Sequence, residues 1–388
     1  MGRAAKILGL DIGSHAIKAA CVEHRRNGWR LLGVGAVPTP RDAVTAGMIQ
    51  DHAAVAEAVE SLIRQYRLPP AEAVAAVGGS SVSVRAVRIP EIPLPALRRS
   101  IRFEAAKFLP SVEDSAIEFA VLGRGGTPPQ MEVLLVAAPQ ALVDSRVQVI
   151  RDVGLEPAAI DIEAFALLRV LEALHLLPGP NQGLAIANIG ATFTDLNIVV
   201  ESEVAVTRSI PIGGKSLTHA IMSQLNVTEL EAEQLKSRIV LGRPTPPAAW
   251  AGVVTPSESV PEGTEEEESE PAVEEEWLPD EMLQSLRQAA QPLLDEIVRE
   301  LRRSVNFFQS QTAEAGHTVA VEQLLLAGGT AHLPGIAEYM GDRLGMDVRI
   351  LDPFAIRNFA ADGVVTSAVR ERASELAVAI GLALKECD

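Results

Sequence analysis

The sequence predicts an α/β protein made of a duplicated domain, with the two copies facing one cleft and a small α+β insert in the first copy. Three observations carry this. Residues 7–23, ILGLDIGSHAIKAACVE, run a buried strand into an acid, a glycine turn and a second strand. Residues 184–200, LAIANIGATFTDLNIVV, repeat that design in the second half, and such self-similarity marks a repeated unit. Between residues 84 and 151 the character changes to extended, proline-broken segments around one amphipathic helix. At 388 residues the chain is too long for one ordinary core.

The elements follow in order. After the first strand, IKAACVEH reads as a second strand, Arg26-Asn27-Gly28 as a hairpin turn, and WRLLGVGAV as a third strand. Val55, Val59, Leu62 and Tyr66 then share one helical stripe, closed by Pro69-Pro70. AEAVAAVGGSS is a buried strand and a glycine turn, completing the first part of domain one, residues 1–83. In the insert, 84–151, Pro90, Pro93 and Pro95 precede a helix with Leu97, Ile101, Ala105 and Phe108 inward. Two strands and a closing helix over 140–153 complete it, at about the minimum size of a module. Residues 152–182 return to the first domain through a helix over 164–175, and residues 183–388 form the second.

The second domain contains an insertion at 244–279, rich in Pro, Glu and Ser, whose composition predicts disorder. A long helix follows, with Leu286, Leu293, Ile297, Leu301, Val305 and Phe308 on one side and Pro292 near its start or at a kink. A strand, a glycine turn and a helix come next, then a last, Ala-rich helix over 364–385.

Composition excludes several functions. The net charge is −17, which argues against nucleic-acid binding. Nine Glu between Pro261 and Glu276 supply more than half of it. Cys21 and Cys387 are the only cysteines, so neither a disulfide framework nor a zinc site is expected. No signal-peptide pattern and no long uncharged apolar run is present, so a cytoplasmic protein without a transmembrane segment is the expectation.

The chemistry lies in the glycine turns. Alone, Asp11-Ile12-Gly13-Ser14 is an ordinary β-turn. Paired with Asn188-Ile189-Gly190 across a cleft, it reads as a cradle whose backbone N–H groups hold a polyphosphate. Asp11 suits a water-mediated Mg²⁺, Ser14 can donate to a phosphate, and Lys18 adds a point charge. Gly213-Gly214 before a helix reads either as a helix N-terminus near phosphates or as a plain helix start. Gly328-Gly329-Thr330, straight after a buried strand, is equally a ligand contact or a strand-to-helix turn. Glu233 and Lys236 stand three apart on a helix, the spacing of a solvated ion pair.

GLDIGSHAIKA, ANIGATFTDLNIV and LLLAGGTAHLPG, in this order, resemble the two phosphate motifs and the adenosine motif of the actin-like (RNase H-like) ATPase superfamily. They span nearly the whole chain. The insert stands where the cell-division protein FtsA carries its own, the 1C position. SIRFEAAKFLPSVEDSAIEFAVL and IPIGGKSLTHAIMSQLNVTELEAEQLK are similar to the PilM family of cytoplasmic type IV pilus assembly proteins. The resemblance implies ATP and Mg²⁺ in the interdomain cleft, with at most weak ATPase activity. It implies phosphate contacts at Gly13, Ser14, Lys18, Gly190, Ala191 and Thr192, and a water-mediated Mg²⁺ at Asp11. Gly213, Gly214, Gly328, Gly329 and Thr330 would line the nucleotide, with Glu233 and Lys236 flanking the nucleoside. The implied partner is the cytoplasmic N-terminal peptide of a PilN-like membrane protein, held in a groove involving the insert. That partner would tie the protein peripherally to the inner membrane; pilus motor ATPases or self-association are the further partner classes.

One departure stands out. The second phosphate motif of the superfamily opens with Asp, and here Asn188 occupies that place. An amide is neither a general base nor a full charge for Mg²⁺, so no catalytic residue is assigned. The competing readings are a small-molecule kinase on the same fold, which needs a catalytic carboxylate at the second hairpin, and an FtsA-like scaffold, which needs a membrane-targeting tail. A cytoplasmic part of a type II secretion protein would sit in a membrane-spanning chain.

Overall fold

The computed structural model describes residues 5–109, 112–241, 278–314, 316, 318–361 and 363–387. Nearly all of the acidic insertion expected at 244–279 lies outside the described residues.

Sheet one grows from a three-stranded meander: β1 (Lys6–Ile12), β2 (Ala16–Arg25) and β3 (Gly28–Pro38). A short hairpin, β4 (Val44–Thr45) and β5 (Met48–Ile49), leads into α1 (His52–Gln65). Asp51 caps α1 by accepting from the Ala54 N–H at 3.0 Å. Val55, Val59 and Leu62 are buried on its inner face, whereas Tyr66 falls at the C-cap. Next come β6 (Glu72–Val77), then the insert: β7 (Ser83–Pro90), α2 (Leu94–Ala105), β8 (Ser115–Gly125) and β9 (Gln130–Pro139). α3 (Gln140–Asp152), β10 (Glu156–Ile162) and α4 (Glu163–Leu174) return the chain.

Sheet two repeats the design with β11 (Gln182–Ile189), β12 (Thr194–Val200) and β13 (Glu203–Ile210). Then follow α5 (Gly214–Leu225), α6 (Glu229–Lys236), α7 (Asp280–Glu314), β14 (Ala320–Ala327), α8 (Ile336–Leu344) and β15 (Asp347–Ile350). The chain closes with β16 (Phe359–Ala360), α9 (Ser367–Glu371) and α10 (Ala377–Ala383). The strand orders are β10-β6-β1-β2-β3-β16, β13-β12-β11-β14-β15 and, in the insert, β7-β9-β8. In both large sheets an antiparallel meander is extended by parallel strands.

Three expectations are corrected. The helix expected to close the insert, α3, packs Val149 and Ile150 into the core of sheet one with Leu8, Leu10 and Val55. The inner line of α7 runs through Leu294, fully buried, rather than Leu293, because the helix continues unbroken past Pro292 and sets the register. The final helix is broken into α9, a 3₁₀ turn over Ala373–Leu376 and α10. It also leaves the second domain: α10 packs against β1 and α4 in the first domain's core. In the insert, Leu97 and Ala105 are buried, and Ile101 and Phe108 lie at the edge of the same cluster.

One core binds the halves. Ile7, Ala20 and Val22 of sheet one and Leu184, Ile186 and Leu325 of sheet two meet the same layer, formed by α4 and α10. This layer is thin because its residues are small. A Cβ at Gly9 would lie 2.0 Å from the Ala379 carbonyl oxygen, and one at Gly381 would lie 2.0 Å from that of Ala166. Helix backbone therefore rests on strand and helix backbone, where only glycine fits. The Arg169 Nε donates to the Gly381 carbonyl at 2.8 Å, and its Nη2 pairs with Asp161 at 2.5 Å.

Gly9→Ala should lower the free energy of unfolding by about 1–3 kcal/mol or more, read from urea titrations. Gly123→Ala, in the insert, where a Cβ meets nothing within 4 Å, should leave stability nearly unchanged.

Candidate functional site

The two hairpins are built alike. In the first, the Gly13 N–H donates to the Ala16 carbonyl at 3.1 Å, and in the second the Gly190 N–H donates to the Phe193 carbonyl at 2.9 Å. Asp11 ends the first strand opposite Lys18, and Asn188 ends the second opposite Asp195. The turns meet: the Ser14 Oγ and Thr192 Oγ1 hydroxyls share a hydrogen bond at 2.8 Å. Thr39 braces the first turn, donating to the Gly13 carbonyl at 2.6 Å.

Around them lies a cavity of about 300 Å³. Of the residues singled out from the sequence, all but Gly213 line it: Asp11, Gly13, Ser14, Lys18, Asn188, Gly190, Ala191, Thr192, Gly214, Glu233, Lys236, Gly328, Gly329 and Thr330. Gly213 works from behind. The N–H groups of Gly214 and Lys215 donate to the carbonyls of Gly190 and Ala191 at 2.9 and 2.8 Å. The start of α5 thus spends these amides on the second turn and does not offer them to a phosphate. A Cβ at Gly213 would meet the Gly190 carbonyl oxygen at 2.6 Å, so glycine permits the docking.

The charged residues are already engaged. Lys18 pairs with Asp11 at 2.9 Å, both side chains largely buried. Lys236 pairs with Glu233 at 2.6 Å and donates to Thr218 at 3.0 Å. Neither is the free point charge or solvated pair read from the sequence. At the strand end of β14, Gly328 has φ +88°, and a Cβ there would lie 2.5 Å from the Ile189 carbonyl oxygen. Its N–H donates to the Ser374 carbonyl at 3.0 Å, and the Ser374 hydroxyl bonds His332 at 3.2 Å. The glycine turn is thereby tied to the segment that leads into α10.

Glu163, Arg146 and Asp195 are among the cleft residues that the sequence did not single out. Glu163 is the first residue of α4, and its carboxylate lies so near Gly78 that a Cβ there would stand 2.4 Å from Oε1. The Asn188 Nδ2 donates to Glu163 Oε2 at 3.0 Å. Burial, reinforced by Asp195 and Asp11, pushes the Glu163 carboxyl up to about 8. Burial also raises Asp195, opposed by its bond from the Ser209 hydroxyl. Arg146, 2% exposed, donates to Ser145 Oγ at 2.9 Å and to the Gly47 carbonyl. Burial lowers its pKa to about 10, opposed by Glu163 and Asp11. Only Asp195 had a signal in the sequence, since it follows Asn188 at the spacing by which Lys18 follows Asp11.

The site offers two backbone turns, two hydroxyls and hard carboxylate oxygens, a set suited to an anion carrying a small divalent cation. Among the described residues no cluster of three or more His, Cys, Asp or Glu is placed to hold a metal by itself. Among the described residues no helix is long and apolar enough to cross a membrane.

The family described as type IV pilus assembly protein PilM matches residues 9–245 and 261–387. A solved PilM-PilN type IV pilus biogenesis complex contains a chain 26% identical, with a TM-score of 0.77, covering 98% of each chain. The ethanolamine utilization protein EutJ from Carboxydothermus hydrogenoformans, at 14% identity and a TM-score of 0.53, shares the fold over 99% of this chain and 90% of its own. Cell division protein FtsA of Bacillus subtilis (strain 168) is 22% identical over 374 residues, 89% of this chain and 78% of its own length.

The position of Glu163 has a measurable consequence. In the folded chain it keeps its proton up to about 8, whereas its ordinary value is 4.5. Between these values the folded state holds the extra proton, so rising pH favours unfolding. Asp195 acts with the same sign. His15 and His332, both lowered chiefly by burial, act with the opposite sign over their own range. The discriminating quantity is the difference in unfolding free energy between wild type and Glu163→Gln. From about pH 5 to about pH 8 it should move in the variant's favour by more than about 1 kcal/mol; a difference independent of pH would contradict the assignment.

Proposed function

Because the chain belongs to the PilM family of type IV pilus assembly proteins, we propose that it is a nucleotide-gated assembly component. It binds ATP with Mg²⁺ in the cleft and holds the cytoplasmic N-terminal peptide of a PilN-like membrane protein. Family membership decides for the pilus role over the kinase and cell-division readings. The observation that carries the nucleotide reading is the meeting of twin glycine turns across one cleft at the Ser14–Thr192 hydrogen bond, 2.8 Å long. A polyphosphate entering there would exchange that bond for two donors, one from each half of the molecule.

The roles follow from position. The hydroxyls of Ser14 and Thr192 receive the phosphates, and Gly13, Gly190 and Ala191 shape the turns around them, the N–H groups of Gly13 and Gly190 closing those turns on Ala16 and Phe193. Asp11, already neutralised on one oxygen by Lys18, faces Mg²⁺ through water. Gly214, Gly328, Gly329 and Thr330 give backbone and hydroxyl contacts to the nucleotide, and the Glu233–Lys236 pair flanks the nucleoside. Gly213 holds the second turn from behind. Bound Mg²⁺ would neutralise phosphate charge. Turnover is slow at most, because Asn188 cannot take a proton from water.

Peptide binding is supported by the likeness to the solved PilM-PilN complex. Coupling requires that the peptide distinguish a nucleotide-closed from an open arrangement of the domains. Such a partner would hold the protein peripherally at the inner membrane.

A fluorescent ATP analogue should bind the purified protein in a Mg²⁺-dependent manner, with little phosphate release in the same samples. Lys18→Ala and Gly190→Val should each weaken binding by about tenfold or more, a loss of about 1.4 kcal/mol. Lys18→Ala also strands Asp11 without its cation, so its folding is checked by thermal melting. Fast release stimulated by a small acceptor, or no binding by the wild type, would overturn the reading. The PilN-like peptide, titrated calorimetrically with and without the analogue, should change affinity between the two conditions.

A further inference from the structure

We propose that the outer face of α2, in the insert, lies on a bilayer surface containing anionic lipid, with the Phe103 ring entering the headgroup layer beside Arg99 and Lys107. The contact is made by this chain itself. It depends neither on nucleotide in the cleft nor on the PilN-like peptide.

Position is the first argument. The inner face of α2 is fully committed: Leu97 and Ala105 are buried in the insert's core, and Ile101 and Phe108 pack against it. Phe103 stands two residues from both Ile101 and Ala105, so it points the opposite way. It is 70% exposed. Ala96 and Ala106 share its side of the helix and are too small to cover the ring. A single exposed apolar side chain is ordinary by itself; what surrounds this one gives it a use.

Charge is the second argument. Residues 94–109 carry Arg98, Arg99, Arg102 and Lys107 against one acid, Glu104, in a chain of net charge −17. The cations divide by task. Arg102 donates to the carbonyls of Glu113 and Ser115 at 3.0 and 3.1 Å, tying the following chain to the helix. Arg98 lies over the Phe119 ring of β8, 5.9 Å from its centre. Arg99 stands one turn before Phe103, and among the described residues it has no hydrogen-bond or ion-pair partner. Lys107, just past the helix end, has its Nζ 4.9 Å from the centre of the Phe103 ring, held there by Glu104 at 2.7 Å. An aromatic ring with cations beside it suits the membrane interface, where the ring sits among headgroups and the cations meet lipid phosphates. A soluble acidic segment would satisfy the cations and leave the ring nothing apolar to enter. The chain's overall negative charge opposes this weakly, because exposed charges are screened beyond about 8 Å at physiological salt. One ring and a few cations give a weak attachment, of the kind that adds to a second tether.

The whole chain, without nucleotide or partner, is sedimented with sucrose-loaded vesicles of phosphatidylcholine alone and of phosphatidylcholine mixed with phosphatidylglycerol. Poly-L-glutamate is offered in separate samples, and thermal melting checks the folding of each variant. The wild type should partition to the mixed vesicles and not to phosphatidylcholine alone, and added salt should release it. Phe103→Ala should weaken partitioning about tenfold and Arg99→Ala about fivefold, whereas Phe103→Trp should keep it. Arg88, exposed on β7 between the buried Val87 and Ile89, points away from α2, so Arg88→Ala should change little. The proposal is overturned if the wild type ignores the mixed vesicles, if it binds both kinds equally, or if Phe103→Ala and Arg99→Ala partition like wild type. It is also overturned if Arg88→Ala weakens binding as much as Arg99→Ala, which would mark diffuse charge and no defined face. Binding of poly-L-glutamate without binding of vesicles overturns it and assigns the face to an acidic protein.

Discussion

The structure depends on a contact with no side chain in it. Gly9 of β1 and Gly381 of α10 let helix backbone lie directly against strand and helix backbone, where any Cβ would overlap a carbonyl oxygen. The layer between the two large sheets can then be one helix thick. Ile7 and Val22 from one sheet and Ile186 and Leu325 from the other reach the same α4–α10 layer and form one core. Because the sheets are held this close, their equivalent hairpins end at one cleft, and Ser14 can touch Thr192. The same layer supplies the chemistry. α4 begins with Glu163, and the turn before α10 carries Ser374, which is tied to Gly328 and His332. The helices that join the halves thus present their leading residues to the ligand space, so packing and site geometry cannot vary independently.

Charge is arranged in the cleft with unusual asymmetry. Asp11 with Lys18 and Glu233 with Lys236 are closed pairs, each largely shielded from water. Both pairs position groups without adding net charge. Arg372 with Glu375 is a third pair. What remains is Glu163 and Asp195 against Lys215 and Arg146, and the Arg146 guanidinium donates to Ser145 and the Gly47 carbonyl. Arg146 sits on α3, straight after the last strand of the insert, and α3 packs in the core of sheet one. The insert therefore meets the cleft through α3 and through the Gly78-Gly79 turn that leads into β7.

How much of this was legible in the sequence follows from how local each feature is. The twin hairpins were legible because strand, glycine turn and returning strand are encoded within about a dozen residues and occur twice. Asp195 was legible in principle by laying one hairpin on the other. Glu163 and Arg146 were not. Their role comes from strands and helices that meet only in the folded chain, and a Glu opening a helix or an Arg on an amphipathic helix is ordinary locally. The same limit explains α3 and α10. Each has an apolar face that says it is buried, but not against which sheet. The start of α5 shows the converse error: a glycine pair before a helix reads as an anion site, yet its N–H groups are consumed by the carbonyls of the second turn. A sequence motif specifies which backbone groups exist, whereas tertiary docking decides which remain free.

Asn188 then looks less like a defect than a condition of the arrangement. A carboxylate there would be a further acid beside Glu163, Asp195 and Asp11, with Lys18 and Arg146 as the nearby cations. An ionised carboxylate also has no proton to give, whereas the Asn188 amide donates to Glu163 at 3.0 Å. That donation favours the ionised form of Glu163 against the burial that opposes it. An amide at 188 therefore keeps one buried charge out of the cleft and gives Glu163 a hydrogen-bond donor. A protein that must hold a nucleotide long enough for a partner to sense it benefits from a well-bound ground state. It gains nothing from a strong base beside the terminal phosphate. On the nucleotide reading proposed above, the departure from the superfamily's usual acid suits a site that retains its ligand rather than turning it over.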